Sequence, residues 1–303
     1  MKYINKYLHS GEAHDINVEF LEDCYQGPDK PFIPRVDDKQ SFDDFKKKKY
    51  RHGHDGKRGW EEVMLEEQEG RCCYCMRTVV PGKLNIEHIV PRALCGNRAQ
   101  VEYAQYASKS PAIRDFVEVA DVFARKQFAN KADIDGEQKM PHTTAEANLL
   151  LACNGKRGEP NTGCCCNNSR QDAYMLPLML MEECDNRVDY DENGLMSIMP
   201  EEETLKSIVK ELNDETLKTV RKIWFEISGT QYSVDEIRMM TSYIDKVLLL
   251  KTAFGVSNFE VLSNTVKQYA GSWDNQGRSF YWDLLLSYDW FYSYYHNRRN
   301  RVA

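Results

Sequence analysis

The sequence predicts an α+β protein, mostly α, in which a small β-element braced by cysteines carries a helical insertion and a helical carboxy-terminal domain. Three observations predict this. Two β-prone runs, MRTVV at 76–80 and KLNIEHIV at 83–90, flank the turn signal Pro81-Gly82 beside a cysteine group. Residues 100–130 are rich in Ala, Tyr, Phe and Val at helical spacing, with a break at Ser110-Pro111. From Glu201 onward the pattern is almost wholly helical, as in TLKTVRKIWFEI and VDEIRMMTSYIDKVLLLKTAF.

The elements follow in order. Residues 1–40 have weak periodicity and carry Pro28, Pro31 and Pro34, so an irregular lead-in is expected. Residues 60–69 have helical composition, with Trp60, Val63 and Met64 on one side, Leu65 as a fourth candidate for that face, and Gly70 where a helix should stop. The two β-prone runs read as a hairpin with the cysteine group at its base. Residues 100–130 read as one or two inserted helices, and 131–145 as polar loop. AEANLLLAC at 145–153 is a short apolar run. Residues 169–180 look helical until Pro177. Residues 190–194, YDENG, read as a turn between short extended pieces. The division expected is a lead-in with a basic stretch at 1–59, a central domain at 60–185 and a helical domain at 186–303.

At 303 residues, with 42% hydrophobic and 29% charged side chains, the chain can bury a real core. No apolar run is long enough to span a bilayer, and MKYINKYLHSGEAHD lacks the apolar stretch of a secretory signal. Membrane association is therefore not expected, and the cytoplasm is the expected location. The net charge of -7 argues mildly against nucleic acid, but charge is local. Lys46, Lys47, Lys48, Lys49, Arg51, Lys57 and Arg58 form a basic stretch, and Lys156, Arg157 and Arg170 flank the later cysteines. A basic cleft on an acidic body is compatible with this pattern. So is a set of solvated faces.

Ten cysteines in a cytosolic chain point to metal rather than disulfides, because they cluster. Cys72, Cys73 and Cys75 form one group, and Cys153 with Cys164, Cys165 and Cys166 the other. A Cys-x-x-Cys turn aims two thiolates at one ion, and Zn2+ takes four such ligands. Cys73 reads as a packing residue, since adjacent cysteines rarely both bind one ion. Cys24, Cys95 and Cys184 read as scattered core residues. Between the groups lies Glu87-His88 at the exit of a strand that Pro91 ends, where a side chain can face a cleft. A lone histidine beside apolar residues is ordinarily structural. The company His88 keeps changes that reading.

The order Cys72-Cys-Tyr-Cys75, Ile86-Glu87-His88-Ile89-Val90-Pro91, Asn148-Leu149 before Cys153, and Cys166-Asn167-Asn-Ser-Arg170 resembles the HNH (ββα-metal) nucleases, over roughly residues 60–185. The chain departs from the family pattern in two places. The second cysteine half-site is split by NGKRGEPNTG, which leaves Cys164, Cys165 and Cys166 as rivals for the fourth ligand. The gap between His88 and Asn148 is also long. With the MLPLM stretch, Tyr190 to Gly194, and LNDETLKTVR, these departures resemble one branch, the PtuB-like HNH subunit of Septu-type anti-phage systems and of certain retrons.

The resemblance implies a zinc-braced ββα-metal core and a division of labour. Cys72, Cys75, Cys153 and Cys166 would hold a structural Zn2+. Cys166 is preferred because Asn167 and Arg170 follow it in the family's Asn-x-x-Lys/Arg pattern. Glu87 and Asn167 would offer oxygens to a catalytic Mg2+ or Mn2+. His88 would take the proton from the attacking water. Asn148 would orient the His88 ring or fasten its loop, and Arg170 would contact a phosphate. The partners implied are nucleic acid, DNA ahead of RNA, and a PtuA-like ATPase. The carboxy-terminal region, with Trp273, Trp282, Trp290 and WFYSYY, suits docking, although the same aromatics could fill a core. A zinc-binding interaction module without catalysis is the rival function; it accounts for the cysteines but not for Glu87, His88 and Asn167 together. His52 and His54 read as surface, and His142 is left out of the site.

Overall fold

The computed structural model describes residues 1–29, 39–79, 81, 84–153, 166, 174–229, 233–239 and 285–302. Over these residues the fold is α+β, about half helical with small sheets. The chain divides into two compact units. The first gathers residues 1–73, 79–152 and 170–185; the second gathers 74–78, 153–169 and 186–303.

In the first unit, α1 (Ser10–Cys24) is a helix where the sequence suggested an irregular lead-in. Its polar residues dilute the periodicity, yet Ala13, Ile16, Phe20 and Leu21 recur at helical spacing and are buried. The short α2 (Lys39–Phe45) and α3 (Lys48–His52) follow. In α4 (Trp60–Glu67), Trp60, Val63 and Met64 are fully buried, as their spacing predicts. The Trp60 indole N–H donates to the Phe45 carbonyl at 3.0 Å, and Phe45 stacks on the same ring. The chain turns out of α4 through Gly70, whose φ is +66°, and the Gly70 N–H returns to the Leu65 carbonyl at 2.6 Å.

Strand β1 (Leu84–His88) does not pair with the 76–80 run. Its described partner is β4 (Leu149–Cys153), some sixty residues away. The expected hairpin is thus corrected: 76–79 forms no strand, and Met76 takes a left-handed φ of 62°, which interrupts an extended run. Between the paired strands comes the insertion. It comprises α5 (Gly96–Lys109), α6 (Pro111–Phe116), β2 (Val117–Glu118), α7 (Ala120–Phe123), α8 (Ala132–Asp135) and β3 (Met140–Pro141), with β2 parallel to β3. The α5–α6 break falls at Ser110-Pro111, where Ser110 caps α6 through the Ile113 N–H and Pro111 needs no donor. All of β4 is buried, so its run reads LLLAC without alternation. The Gln68 side chain acts as a strand neighbour to it: its Oε1 accepts from Leu151 N–H at 2.7 Å, and its Nε2 donates to the Leu151 carbonyl at 2.9 Å.

One buried ion cluster ties the amino terminus into this unit. Lys6 lies between Glu67, at 2.6 Å, and Glu146, with no exposure of the lysine side chain. The short α9 (Cys184–Arg187) begins in the unit's last segment and continues into the residues assigned to the second unit.

The second unit holds an antiparallel hairpin, β5 (Val188–Tyr190) with β6 (Met196–Ile198), in the register Tyr190↔Met196. Its turn needs Gly194: φ is +76°, and a Cβ there would meet the Lys218 carbonyl at 2.1 Å. Beyond it come α10 (Lys206–Leu212), α11 (Glu215–Ser228), α12 (Val234–Met239) and α13 (Trp290–Val302), with α11 packed on α13. Asp214 caps α11, accepting the Leu217 N–H at 2.9 Å. Arg221, fully buried, lies over the Tyr190 and Phe291 rings at 4.9 and 5.5 Å and donates to the Gly194 carbonyl. Of the terminal aromatics, Phe291 and Tyr295 are core residues, while Trp290, Tyr292 and Tyr294 are half-buried. Trp273 and Trp282, and residues 240–254 of the run read as helical, lie outside the described residues. No described helix is long and apolar enough to cross a membrane.

Candidate metal centre and active site

The Sγ atoms of Cys72, Cys75, Cys153 and Cys166 all lie within 4.8 Å of one another, and all four residues are buried. Cys75 and Cys153 are 3.8 Å apart, far beyond the ~2.05 Å of a disulfide. Four sulfurs on a tetrahedron at ~2.3 Å from a central ion would lie about 3.8 Å apart. The cluster can therefore hold a metal such as zinc. Two distant sequence segments build it. One is the turn at 72–75; the other is the end of β4, which delivers Cys153, together with Cys166. Cys73 is buried outside the cluster, its N–H donating to the Leu151 carbonyl at 3.0 Å. Cys164, Cys165, Asn167 and Arg170 lie outside the described residues, as does the helix expected to carry the last two.

His88 is the last residue of β1, and the backbone bends at 89–90 before Pro91. Its Nε2 lies 3.1 Å from the Thr143 carbonyl. A carbonyl only accepts, so this contact places the ring proton on Nε2. Glu87, one residue back, is buried, while His88 is half-buried. The Phe42 ring of α2 packs edge-on against His88, with centroids 4.5 Å apart.

Asn148 stands fully buried at the head of β4, and its amide ties three backbone groups together. Oδ1 accepts from Val90 N–H at 2.7 Å; Nδ2 donates to the Val90 carbonyl at 2.9 Å and to the His142 carbonyl at 2.6 Å. Of the two roles the sequence left open for Asn148, these bonds match the fastening of the loop after His88.

Sequence reasoning missed three neighbours. His142 is fully buried, and its Nδ1 accepts the Ala120 N–H at 2.9 Å. Burial holds its pKa down at about 4, so it is neutral and cannot be reached by a substrate. Its contribution is to support the segment that supplies Thr143 and the carbonyl bound by Asn148. Phe42 was hidden inside a charged stretch that also carries Phe45 and Tyr50, with nothing in residue type to mark it out. Arg92 follows Pro91, its guanidinium 5.5 Å from the Phe42 centroid, and Lys46 is 5.0 Å from the same ring.

The basic stretch is largely neutralised. Lys46 pairs with Asp43, Lys47 with Asp44, Lys49 with Glu19 and Asp23, Arg51 with Glu61, and Arg58 with Glu12 and Glu66. The solvated-face reading therefore fits most of it. Comparison of the chain with protein-family models, with curated proteins and with solved structures finds no match in any of the three.

Proposed function

We propose that the chain is a metal-dependent HNH-type endonuclease that hydrolyses phosphodiester bonds of nucleic acid. The observation that carries this reading is the convergence of motifs far apart in sequence. Strand β1, ending in Glu87-His88, pairs with β4, which starts beside Asn148 and ends at Cys153. In this reading that pairing would be the two strands of a ββα-metal core, and the α-element would be the segment after Cys166.

In this reading the zinc held by the four cysteines is structural, since four thiolates leave no position open for water. His88 is the general base. Its Nε2–H is engaged by the Thr143 carbonyl, so the neutral ring carries its lone pair on Nδ1, which takes the proton of the attacking water. Asn148 holds the Val90 backbone and thereby the exit of β1 on which His88 rides. Glu87 and Asn167 would hold Mg2+ or Mn2+, hard ions that suit carboxylate and amide oxygens. Such an ion supplies charge relief at the phosphoryl oxygens. Arg170 would contact a phosphate.

The branch resemblance extends the proposal. The chain acts in the cytoplasm as the PtuB-like effector nuclease of an anti-phage complex with a PtuA-like ATPase, and the helical region after Tyr190 is the docking surface. A metal titration separates the roles. Glu87→Ala should need more Mg2+ or Mn2+ for the same cleavage, and His88→Ala should stay inactive at every metal concentration. Rescue of His88→Ala by high metal would reverse the assignment. Unaltered cleavage in both variants would leave only the zinc-binding interaction module.

A further inference from the structure

Beside His88 the structure gathers two cations on a single aromatic ring. Phe42 is 5% exposed, so its ring is a fixed platform. His88 packs against it at 4.5 Å, the Arg92 guanidinium lies 5.5 Å from its centroid, and the Lys46 ammonium 5.0 Å. The two cations differ in how they are used. Lys46 is 2.8 Å from Asp43 on the protein surface. Arg92 makes no ion pair with any described residue, whereas Lys47, Lys49, Arg51 and Arg58, of the basic stretch that carries Lys46, all do.

A half-buried arginine with no ion-pair partner among the described residues has its charge available for a ligand. A guanidinium near an aromatic ring also keeps N–H donors that can take two oxygens of a phosphate at once. Its backbone is held as well. Arg92 is two residues beyond Val90, whose N–H and carbonyl are both bound by Asn148, and the turn closes with Leu94 N–H on the Pro91 carbonyl at 3.0 Å.

We propose that Arg92 is a substrate-binding residue, gripping a backbone phosphate of DNA beside His88, with Phe42 as the positioning residue that sets the guanidinium and the imidazole side by side. The inference rests on the nuclease reading above and deepens it. It assigns the phosphate contact to a residue directly after the His88 motif, in addition to Arg170. Lys46 is a weaker second contact, because it must leave Asp43 to serve.

The test is the salt dependence of DNA binding. The full chain carrying His88→Ala, which binds without cutting, is titrated with a labelled DNA duplex between about 50 and 200 mM salt. Each neutralised phosphate contributes about 0.9 to the slope of log affinity against log salt. Adding Arg92→Gln should lower that slope by about one unit. The affinity ratio between parent and variant should then shrink about 3.5-fold over the fourfold salt range. Arg92→Lys should keep the slope, since the charge remains. Lys206→Gln, on α10 of the second unit, should leave it unchanged. Zinc content and melting temperature of the Arg92→Gln chain should match the parent, so that a slope change reports contact rather than folding. An unchanged slope in Arg92→Gln overturns the inference and leaves the nuclease reading standing. Failure of the His88→Ala chain to bind DNA at about 50 mM salt overturns the inference, and failure to bind RNA as well removes the nuclease reading.

Discussion

Replacing Asn148 by alanine removes three hydrogen bonds from a site with no solvent access. Each such bond contributes about 1 kcal/mol net, and the partners left behind lose more than that when water cannot replace the amide. Those partners are the Val90 N–H and the Val90 and His142 carbonyls. The expected loss is about 3–4 kcal/mol, near the upper end for a single substitution. For a chain of 303 residues, with an unfolding entropy of about 2.1 cal/mol/K per residue, that corresponds to roughly 5–6 °C in melting temperature. Thermal unfolding followed by circular dichroism on zinc-replete protein reads it directly. Asn148→Asp makes a sharper comparison: it keeps the acceptor for Val90 N–H but turns a carboxylate toward two carbonyls, so it should destabilise at least as much. Cleavage should fall too, since the Val90 loop starts two residues after His88 and small misplacements cost about 10²-fold. A melting temperature within about 2 °C of the parent in both variants would refute the claim that this side chain fastens the loop.

Two further outcomes follow from the same structure. Freshly purified protein in reducing buffer should contain about one zinc per chain, and Cys72→Ser or Cys166→Ser should lose both metal and stability, because ligand geometry and folding are coupled; elemental analysis without zinc would contradict the centre. The Lys6–Glu67–Glu146 cluster predicts a pH signature. Burial pushes the Glu146 carboxyl up to about 8, with Glu67 adding to the rise and Lys6 opposing it. The folded chain therefore binds that proton more tightly than the unfolded chain does. Its stabilising contribution is complete below the ordinary carboxylate value and is lost as pH rises toward 8. Urea midpoints should decline across that window for the parent and less steeply for Glu146→Gln; parallel declines would exclude Glu146 as the source.

How far sequence reading reached follows from the range of each interaction. The cysteine cluster was readable in part because ligand chemistry is local: Cys72 and Cys75 share one turn and Cys153 ends an apolar run, whereas residue type could not separate Cys166 from Cys164 and Cys165, and only the resemblance preferred it. Helix α4 and the α5–α6 break were readable from spacing and from Ser110-Pro111. The partner of β1 was not, because Pro81-Gly82 advertises a local hairpin while the pairing that forms reaches to residues 149–153. Nothing in one sequence encodes that distance. Helix α1 was obscured by its charged face. Within the site, His88 and Asn148 were recognisable by motif. Phe42, Thr143 and His142 act through ring contacts and backbone carbonyls, which leave no residue-type signature.

The central claim is that His88 performs chemistry rather than packing, and one comparison tests it most directly. Wild-type and His88→Ala chains, each with zinc content and melting temperature recorded, are assayed for DNA cleavage in Mg2+ or Mn2+. The account predicts equal zinc, near-equal melting temperatures and a loss of cleavage of about 10²–10⁴-fold in the variant, the usual contribution of a positioned base. Cleavage undiminished in His88→Ala, at matched zinc content, would contradict it.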